Sequence, residues 1–390
     1  MCLVPCALYL VPFYVALLLQ YSPTMKLFKC DNCGQLLHFE NTRCENCDST
    51  LGFEPVQLEL HSLQEVEEGI VTLLKKPGIR YRYCANHTYN VCNWLIPADS
   101  EAAFCRACSH NHTIPNLSKP DYVTRWMKIE IAKHRLIYSL LRLQVPFQNK
   151  IENPDKGLSF DFIASEKTAD QKPVLTGHLN GLITLNIAEA DDIEREMARM
   201  NMDEVYRTVL GHFRHETGHY FWDLFIANSD KLEPFRQLFG DEQQDYKKAL
   251  ENYYQQGPAE NWQQQYISAY ASSHPWEDWA ETWAHYLHII DTLETAHSFG
   301  LSLDPDPADA SPDMAMEIST DPYRQKNFNR IIKQWVPLTI AMNSLNRSMG
   351  LPDSYPFIIN TSVIQKLQFI HHVCYEQRGN ATTQKIVATK

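Results

Sequence analysis

Two histidines and a glutamate between residues 211 and 223 have the types and the spacing that bind and use a metal ion. His215, Glu216 and His219 form the pattern His-Glu-x-x-His. If the segment is helical, the two imidazoles lie one turn apart on the same face and can hold one Zn²⁺ between them. Glu216 then lies beside the ion, where its carboxylate can accept a proton without binding the metal.

The flanking residues favour a helix for this segment. Asp203 can act as its N-cap, and apolar side chains follow at helical spacing. These apolar positions are Val205, Leu210, Phe213, Tyr220, Phe221, Leu224 and Phe225. Gly211 and Gly218 oppose the helix modestly, because glycine costs about 1 kcal/mol relative to alanine in a helix interior. His212 and Asp223 share the metal-facing side, where they can support the site or face a substrate.

A catalytic zinc site needs a third protein ligand, because it is tetrahedral and keeps one position open for water. The chain contains 16 histidines, so the pattern alone would be weak support without such a ligand. Glu277, which follows Pro275 at the predicted start of a second helix, is the best candidate for the third ligand because it is paired with Glu281. Glu281 lies one turn later, where it can accept the second ring N–H of a bound imidazole. Asp278 and His285 are the alternatives to Glu277.

Eight of the 11 cysteines fall in spacings typical of metal ligands. Cys30 and Cys33, followed by Cys44 and Cys47, form two Cys-x-x-Cys pairs a short loop apart. Four thiolates in this arrangement surround one zinc ion completely, so the site is predicted to be structural.

A second group of cysteines predicts a second structural zinc site. Its members are Cys84, Cys92, Cys105 and Cys108, of which only the last two form a Cys-x-x-Cys pair. His87, His110 or His112 can therefore replace a cysteine in this ligand set. Thiolate sites suit a reducing compartment, so the sequence favours a cytoplasmic protein.

The charge balance excludes one class of partner. The formal net charge is −12, from 35 basic and 47 acidic residues, whereas phosphate binding depends on clustered Lys and Arg. We therefore expect no nucleic-acid partner. A hydrophobic fraction of 44% over 390 residues is ample for a large core spread over two or three domains.

The N-terminal segment has two interpretations. Residues 2–19 are uncharged and mostly apolar, and they would pass a length test for a membrane span. Met25 begins a sequence suited to the start of a zinc-binding module, so residues 1–24 are predicted to be an extension from a wrongly assigned start. The alternative is a membrane anchor, in which case Lys26 and Lys29 favour keeping the rest of the chain in the cytoplasm.

Sequence patterns divide the remaining chain into predicted elements. A helix is predicted over 121–143, with strands over 158–164 and 174–187. Residues 181–186 are the candidate for an edge strand beside the metal that pairs with an extended peptide, with an ordinary sheet strand as the alternative. Residues 232–254 are predicted to form a polar helix that is mainly solvated, with a cover over the cleft as the alternative. The other predictions are a partly helical segment at 63–75, a turn at 77–78, a linker at 114–120, a loop at 303–322, a helix at 323–349 bent or split by Pro337, a last helix at 363–375 and a frayed tail at 385–390.

The helix with His215, Glu216 and His219, followed by the helix with Glu277 and Glu281, resembles the gluzincin branch of the zincin metallopeptidases. More narrowly, the chain resembles a bacterial family named putative zinc-binding metallopeptidases, which carry a zinc-ribbon head. The resemblance implies two histidine ligands and one glutamate ligand for zinc. It also implies Glu216 as the general base and Glu281 as a partner of a ligand.

The same resemblance implies a fold and one further catalytic residue. In some gluzincins a tyrosine seven residues before the ligand glutamate donates to the oxyanion, and Tyr270 occupies that position. The implied fold class is α+β, with a zincin-like metallopeptidase domain at 118–378 preceded by a small zinc-ribbon domain at 25–117. Residues 1–24 are then an apolar extension and 379–390 a tail.

The expected function is hydrolysis of peptide bonds by a zinc-bound water that Glu216 activates. This function requires one catalytic zinc ion, with one or two structural zinc ions in the ribbon, and a peptide or protein substrate. The alternative is a non-catalytic zinc-ribbon adaptor or peptide-binding protein, which would not require Glu216.

Overall fold

The chain folds into an N-terminal part built from short strands and a larger part built around long helices. A computed structural model describes residues 26–164, 176–191, 208–305 and 314–384. The predictions for residues 1–24 and 385–390, the predicted N-cap Asp203, the apolar position Val205, and parts of the strand predicted at 174–187 and of the loop predicted at 303–322 lie outside these ranges.

The N-terminal part contains a two-stranded ribbon and a five-stranded antiparallel sheet. Its strands are β1 (Phe28–Lys29), β2 (Leu36–Leu37), β3 (Leu51–Glu54), β4 (Glu59–Glu67), β5 (Ile70–Leu73), β6 (Lys76–Tyr83) and β7 (Leu95–Pro97). The ribbon pairs β1 with β2, and the sheet runs β3-β4-β5-β6-β7.

The prediction of a partly helical segment at 63–75 is wrong, because this segment forms the β4–β5 hairpin. Gly69, with φ +72°, provides the tight turn between the two strands. Leu63, Val71 and Leu73 pack under the sheet with neighbouring apolar side chains. The predicted turn at residues 77–78 is also wrong, since both residues belong to β6.

A second, mixed sheet lies next to the helices. It contains β8 (Asn111–Thr113), β9 (Ser159–Ile163), β10 (Gly177–Leu179) and β11 (Leu182–Asn186) in the order β10-β11-β9-β8. β9 is parallel to both of its neighbours, and β10 forms an antiparallel hairpin with β11. The edge-strand prediction for residues 181–186 is therefore wrong: β11 is paired on both sides, and β10 ends the sheet among the described residues.

Seven helices with described bounds follow the N-terminal strands. They are α1 (Pro120–Leu143), α2 (Val209–Phe225), α3 (Leu232–Phe239), α4 (Tyr246–Gln256), α5 (Pro275–Ser298), α6 (Phe328–Ser348) and α7 (Thr361–Gln384). Short 3-10 turns lie at Ala85–Tyr89, Cys108–His110, Ile187–Ala190, Trp262–Gln264, Tyr270–Ser273 and Pro322–Arg324, and β12 (Ser302–Leu303) pairs with β13 (Met316–Glu317). None of the helices in the described ranges has the length and apolar character needed to cross a membrane.

Several helix predictions are confirmed, with changed bounds. The helix predicted at 121–143 is α1, the helix predicted around His215 and His219 is α2, and the segment after Pro275 is α5. The stretch 232–254 forms two helices, α3 and α4, because Gly240 ends the first with φ +101°. α6 is not split at Pro337, and the last helix extends to Gln384.

One continuous hydrophobic core joins the two parts of the chain. Tyr138 of α1 reaches into the N-terminal part, where its ring lies 5.5 Å from Phe39 and 6.3 Å from Phe53. The neighbouring Arg135 forms an ion pair with Glu40 at 2.7 Å. α1 therefore supports the strand-rich part on one side and the helical part on the other.

Candidate metal centre

The imidazoles of His215 and His219 lie one turn apart on α2, with ring centroids 5.0 Å apart. Thr208 caps the helix by accepting a hydrogen bond from the backbone N–H of Gly211 at 2.9 Å. The opposite face is buried, since Phe213 and Phe221 are 0% exposed. Burial of this apolar face turns the imidazoles towards α5.

α5 presents Glu277 to both imidazoles. Pro275 occupies its first turn, and the Nδ1 of His274 caps it by accepting from the backbone N–H of Trp276 at 3.1 Å. An Oε2 atom of Glu277 lies 3.0 Å from His215 Nε2, and the Oε1 atom lies 3.6 Å from His219 Nε2. Glu277 is 1% exposed, so its carboxylate has left water.

These distances fit one zinc ion. Ligand atoms about 2.0–2.2 Å from a tetrahedral zinc are about 3.3 Å from one another, which lies between the two observed separations. All three ligand atoms lie within 4.8 Å of one another. Although Glu277 Oε2 is close to His215, it is buried without a well-directed hydrogen bond. A cation between the three side chains would satisfy this oxygen.

Close contact between the two helices makes this geometry possible. A Cβ added at Gly218 would lie 2.8 Å from the Cα of Ala280 and 3.2 Å from its carbonyl oxygen. The indole N–H of Trp279 donates to the carbonyl of Gly218 at 2.8 Å. Gly218, which opposes the helix by its propensity, is therefore explained by the packing of α2 on α5.

Glu281 orients the first imidazole. Its Oε1 accepts from Nδ1 of His215 at 2.7 Å, and its Oε2 accepts from the hydroxyl of Ser268 at 2.6 Å. Because a carboxylate can only accept here, Nδ1 carries a proton, which leaves Nε2 as the ring nitrogen that can bind a metal ion. Glu281 thus occupies the position expected of a partner that fixes a ligand tautomer.

The electrostatics of the cluster favour a cation. Burial lowers the pKa of His215, but the nearby carboxylates of Glu277 and Glu281 outweigh this effect and hold the pKa well above its ordinary value. Burial raises the pKa of Glu277, yet the facing imidazoles, His219 first, hold it well below its ordinary value. A proton and a metal ion compete for the same lone pair, so a site that attracts one attracts the other.

Glu216 lies next to the cluster and is not part of it. Its side chain is buried, and its Oε1 lies 3.8 Å from Nε2 of His212. The other ring nitrogen of His212 lies 2.6 Å from Oε2 of Glu189. His212 was predicted from the sequence to lie on this helix face. Glu189 was not predicted, because it follows β11 and no local sequence pattern links it to the site. Asp223 is exposed on the same helix.

Two tyrosines border the cluster. The ring of Tyr270 lies 6.0 Å from that of His215, and burial together with the charge of Glu277 raises its pKa well above the ordinary value. Its hydroxyl therefore stays protonated and can donate. Tyr246 of α4 was missed by the sequence, although its hydroxyl donates to Oε1 of Glu277 at 2.6 Å. The mainly solvated helix predicted there thus carries one residue that contacts the cluster.

The alternative ligands point elsewhere. Asp278 is buried and pairs with Lys366 of α7 at 2.6 Å. Burial raises the pKa of Asp278 to about 7 against the opposing effect of Lys366. Nδ1 of His285 lies 2.8 Å from the hydroxyl of Tyr355. Neither residue faces the two imidazoles of α2.

The cysteines form two separate clusters of four thiols. The members of the first are Cys30, Cys33, Cys44 and Cys47, and those of the second are Cys84, Cys92, Cys105 and Cys108. Sulfurs around one zinc, each about 2.3 Å from it, are about 3.8 Å apart. The cross-pairs measure 3.6 Å twice in the first cluster and 3.7 Å in the second. These separations fit zinc and exceed a disulfide bond, and none of the described cysteines is disulfide-bonded.

The three histidines that could replace a cysteine have other partners. His87 Nδ1 lies 2.8 Å from the carbonyl of Cys92, and His110 Nδ1 lies 2.9 Å from that of Leu158. His112 pairs with Asp161. The second cluster is therefore an all-cysteine set.

Comparisons with known proteins agree with these features. Residues 27–119 match a zinc-ribbon domain, and residues 122–373 match the family described as "Putative zinc-binding metallo-peptidase". Uncharacterized proteins of Mycobacterium bovis and of two strains of Mycobacterium tuberculosis are each 43% identical over 354 residues, or 90% of this chain and 96% of the relative. No solved structure matches the chain. Since the second match spans well over half of the sequence, the chain belongs to the putative zinc-binding metallo-peptidase family.

Proposed function

We propose that the protein hydrolyses peptide bonds with one zinc ion held by His215, His219 and Glu277, as in gluzincins. The observation that carries this proposal is the position of Glu277, a buried carboxylate from α5 that faces both imidazoles of α2. Three ligands leave a tetrahedral ion one open position, which distinguishes a catalytic from a structural site. Zinc in such a site lowers the pKa of a water molecule and polarises a carbonyl group.

Glu216 is the proposed general base. Its carboxylate lies one residue from the first ligand and outside the ligand cluster, so it is free to take a proton from the attacking water. It then returns this proton to the nitrogen of the leaving amine. His212, 3.8 Å from Glu216 and itself bound to Glu189, limits the positions that the Glu216 side chain can adopt.

Tyrosine hydroxyls are the proposed donors to the developing oxyanion. Tyr270 borders His215 and keeps its proton because of burial and the charge of Glu277. Tyr246 is a second donor, at present directed to Glu277. A donor aimed at developing charge typically contributes about 2.7–4 kcal/mol to catalysis.

β10 is the proposed binding strand for an extended substrate. It ends the mixed sheet among the described residues, and the ring of His178 within it lies 6.2 Å from that of His219. A peptide paired along this strand would pass beside the metal cluster. This role replaces the one predicted for residues 181–186.

The test combines hydrolysis and metal content. The full chain, loaded with zinc, should cleave members of a mixed peptide library, and a chelator should stop the cleavage. Glu216→Gln should retain zinc and lose at least about a hundredfold in rate, since general base catalysis contributes about 10²–10⁴-fold. His219→Ala should lose the ion from this centre.

Two results would reject the proposal. Undiminished cleavage by Glu216→Gln would remove the general base from the mechanism. Full zinc loading without any turnover of the library would favour the non-catalytic adaptor or peptide-binding protein.

A further inference from the structure

The two thiolate clusters have different surroundings. In the first, Cys33 is exposed and Cys47 is half-buried, so water solvates part of the cluster. Ser62 and Ser49 supply hydroxyl contacts to its sulfurs, each at 3.2 Å. In the second cluster all four cysteines are buried, and none exceeds 5% exposure. Protein groups must therefore stabilise the charge of the second cluster, whereas water can stabilise part of the charge of the first.

Burial creates an electrostatic problem for the second cluster. One zinc ion with four thiolates carries two net negative charges. Removing such charge from water is costly unless nearby groups donate hydrogen bonds to it or balance it. The backbone N–H groups of Trp94, Cys105 and Cys108 lie 3.4 Å from cysteine sulfurs and supply part of this balance.

Two further contacts to Sγ of Cys108 come from α1, outside the zinc-ribbon match: one from His134 and one from Oε2 of Glu130, which lies 3.9 Å from the sulfur. Nε2 of His134 lies 3.7 Å from Sγ of Cys108, and its Nδ1 donates to the carbonyl of Glu130 at 2.6 Å. The ring also packs against Trp94, with centroids 5.3 Å apart. His134 is thus held from two sides with one nitrogen directed at the cluster.

A buried ion pair supports this contact. Lys133 and Glu130 are both 0% exposed and lie 2.8 Å apart, and Lys133 also bonds to Asn111. Glu130 accepts further hydrogen bonds from Trp126 at 3.0 Å and from Asn111 at 2.7 Å. With three donors around it, Glu130 is a satisfied carboxylate that fixes the turn of α1 from which His134 projects.

We propose that His134 is a positioning residue of the second thiolate centre, so that this centre is completed by the peptidase domain. The zinc-ribbon domain then supplies all four ligands of the second metal ion but not all of the contacts that stabilise it. The same helix connects this contact with the candidate active site: Ser139 donates to Asp291 of α5 at 2.7 Å, and Asp291 pairs with Arg214, the neighbour of His215.

The test measures metal release from the full-length chain. Zinc transfer to an excess of chromogenic chelator is followed for the wild type and for His134→Phe, which keeps the ring and removes both nitrogens. Cys33→Ser removes the first centre and so identifies the release phase of the second. We expect His134→Phe to accelerate that phase at least about tenfold, since loss of such a partner typically costs 10–100-fold in metal affinity. His134→Gln, which keeps a polar group at similar reach, should restore most of the difference.

Arg135→Ala is the matched control. It breaks the adjacent contact between the same two domains, the Arg135–Glu40 pair, without a contact to the cysteines. Both release phases should stay within about twofold of the wild type in this variant. If His134→Phe does not fold, His134→Ala is measured in its place.

Three outcomes would overturn the proposal. The first is unchanged release from the second centre in a folded His134 variant. The second is equal acceleration by Arg135→Ala, which would indicate a general loosening of the domain contact. The third is loss of one bound zinc in both His134→Phe and Glu130→Gln with the second centre intact, which would make these residues ligands of a further ion. None of these outcomes depends on peptidase activity.

Discussion

Replacing Gly218 by alanine tests whether close packing of α2 on α5 sets the metal geometry. The new Cβ would lie 2.8 Å from the Cα of Ala280, whereas carbon atoms pack at about 3.5–4.0 Å. Backbone atoms form this contact, so the two helices must separate locally by about 1 Å. His219 follows Gly218 directly, and Glu277 lies one turn before Ala280. The separation therefore acts on the distances between Glu277 and the imidazoles.

Two effects of this substitution on folding oppose each other. Alanine favours the helix by about 1 kcal/mol relative to glycine, and overpacking costs about 1–3 kcal/mol. The free energy of unfolding of the metal-free chain should therefore fall by at most about 2 kcal/mol. Zinc–ligand distances in proteins stay within about 0.2 Å of their standard values, so a shift of the helices by several times this amount must strain the site. We expect zinc affinity at this centre to fall at least tenfold, or about 1.4 kcal/mol.

Competition with a chromogenic chelator measures this affinity, and urea unfolding of the metal-free chain measures the stability. Gly78→Ala is the control for the substitution itself, because a Cβ there meets nothing within 4 Å. The thiolate centres should keep their zinc in both variants. A folded Gly218→Ala protein with wild-type affinity at the His215 centre would refute the reasoning, since the helices would then tolerate the methyl group without moving the ligands.

Three further changes probe the centre and its surroundings. Glu281→Ala should weaken zinc binding at the His215 centre about 10–100-fold in a competition assay, because the imidazole loses the acceptor at 2.7 Å that fixes its tautomer; equal affinity would contradict this. Tyr246→Phe should lower the free energy of unfolding of the metal-free chain by about 1–2 kcal/mol, since its hydroxyl bonds to a buried carboxylate, and the exposed Tyr254→Phe should change it by less than about 0.5 kcal/mol. Burial lowers the pKa of His371 from 6.5 to about 4, so the unfolded chain binds the proton more readily and stability falls as the pH drops from 6.5 towards 4. Between pH 7 and pH 5 this loss amounts to about 2 kcal/mol, and urea unfolding of His371→Gln should show a pH dependence smaller by that amount.

Local sequence rules predicted one half of the candidate centre. The spacing of His215 and His219 places both on one helix face whatever the rest of the fold does. Whether Glu277 faces these two histidines depends on how α2 and α5 pack against each other. In the sequence, Pro275 indicates only where α5 begins. The packing of α2 on α5 is set by the contact between Gly218 and Ala280, which involves no functional group. From the sequence, Gly218 was therefore recognisable only as a residue that destabilises the helix.

The wrong predictions share a cause, which is that pairing between distant segments decides the structure. Apolar residues in 63–75 recur at spacings that also fit a helix, and only the turn at Gly69 and pairing with β6 distinguish a hairpin. The strand at 182–186 was predicted correctly as a strand, but its place inside the sheet depends on β9 and β10. Tyr246 was not predicted because its contact with Glu277 depends on the path of the loop before α4, which the sequence pattern does not indicate.

The pairing of Asp278 with Lys366 has a consequence for the order in which the protein matures. Asp278 is adjacent to the proposed ligand Glu277 and is fully buried, and the cation that balances it lies in the last helix. During synthesis, the ribosome releases Lys366 long after both metal-facing helices. Until then the Asp278 carboxylate, which is fully buried in the folded chain, lacks the cation that balances it. We therefore expect the strand-rich part to fold while the chain is still growing, and the cluster between α2 and α5 to form only once translation is nearly complete.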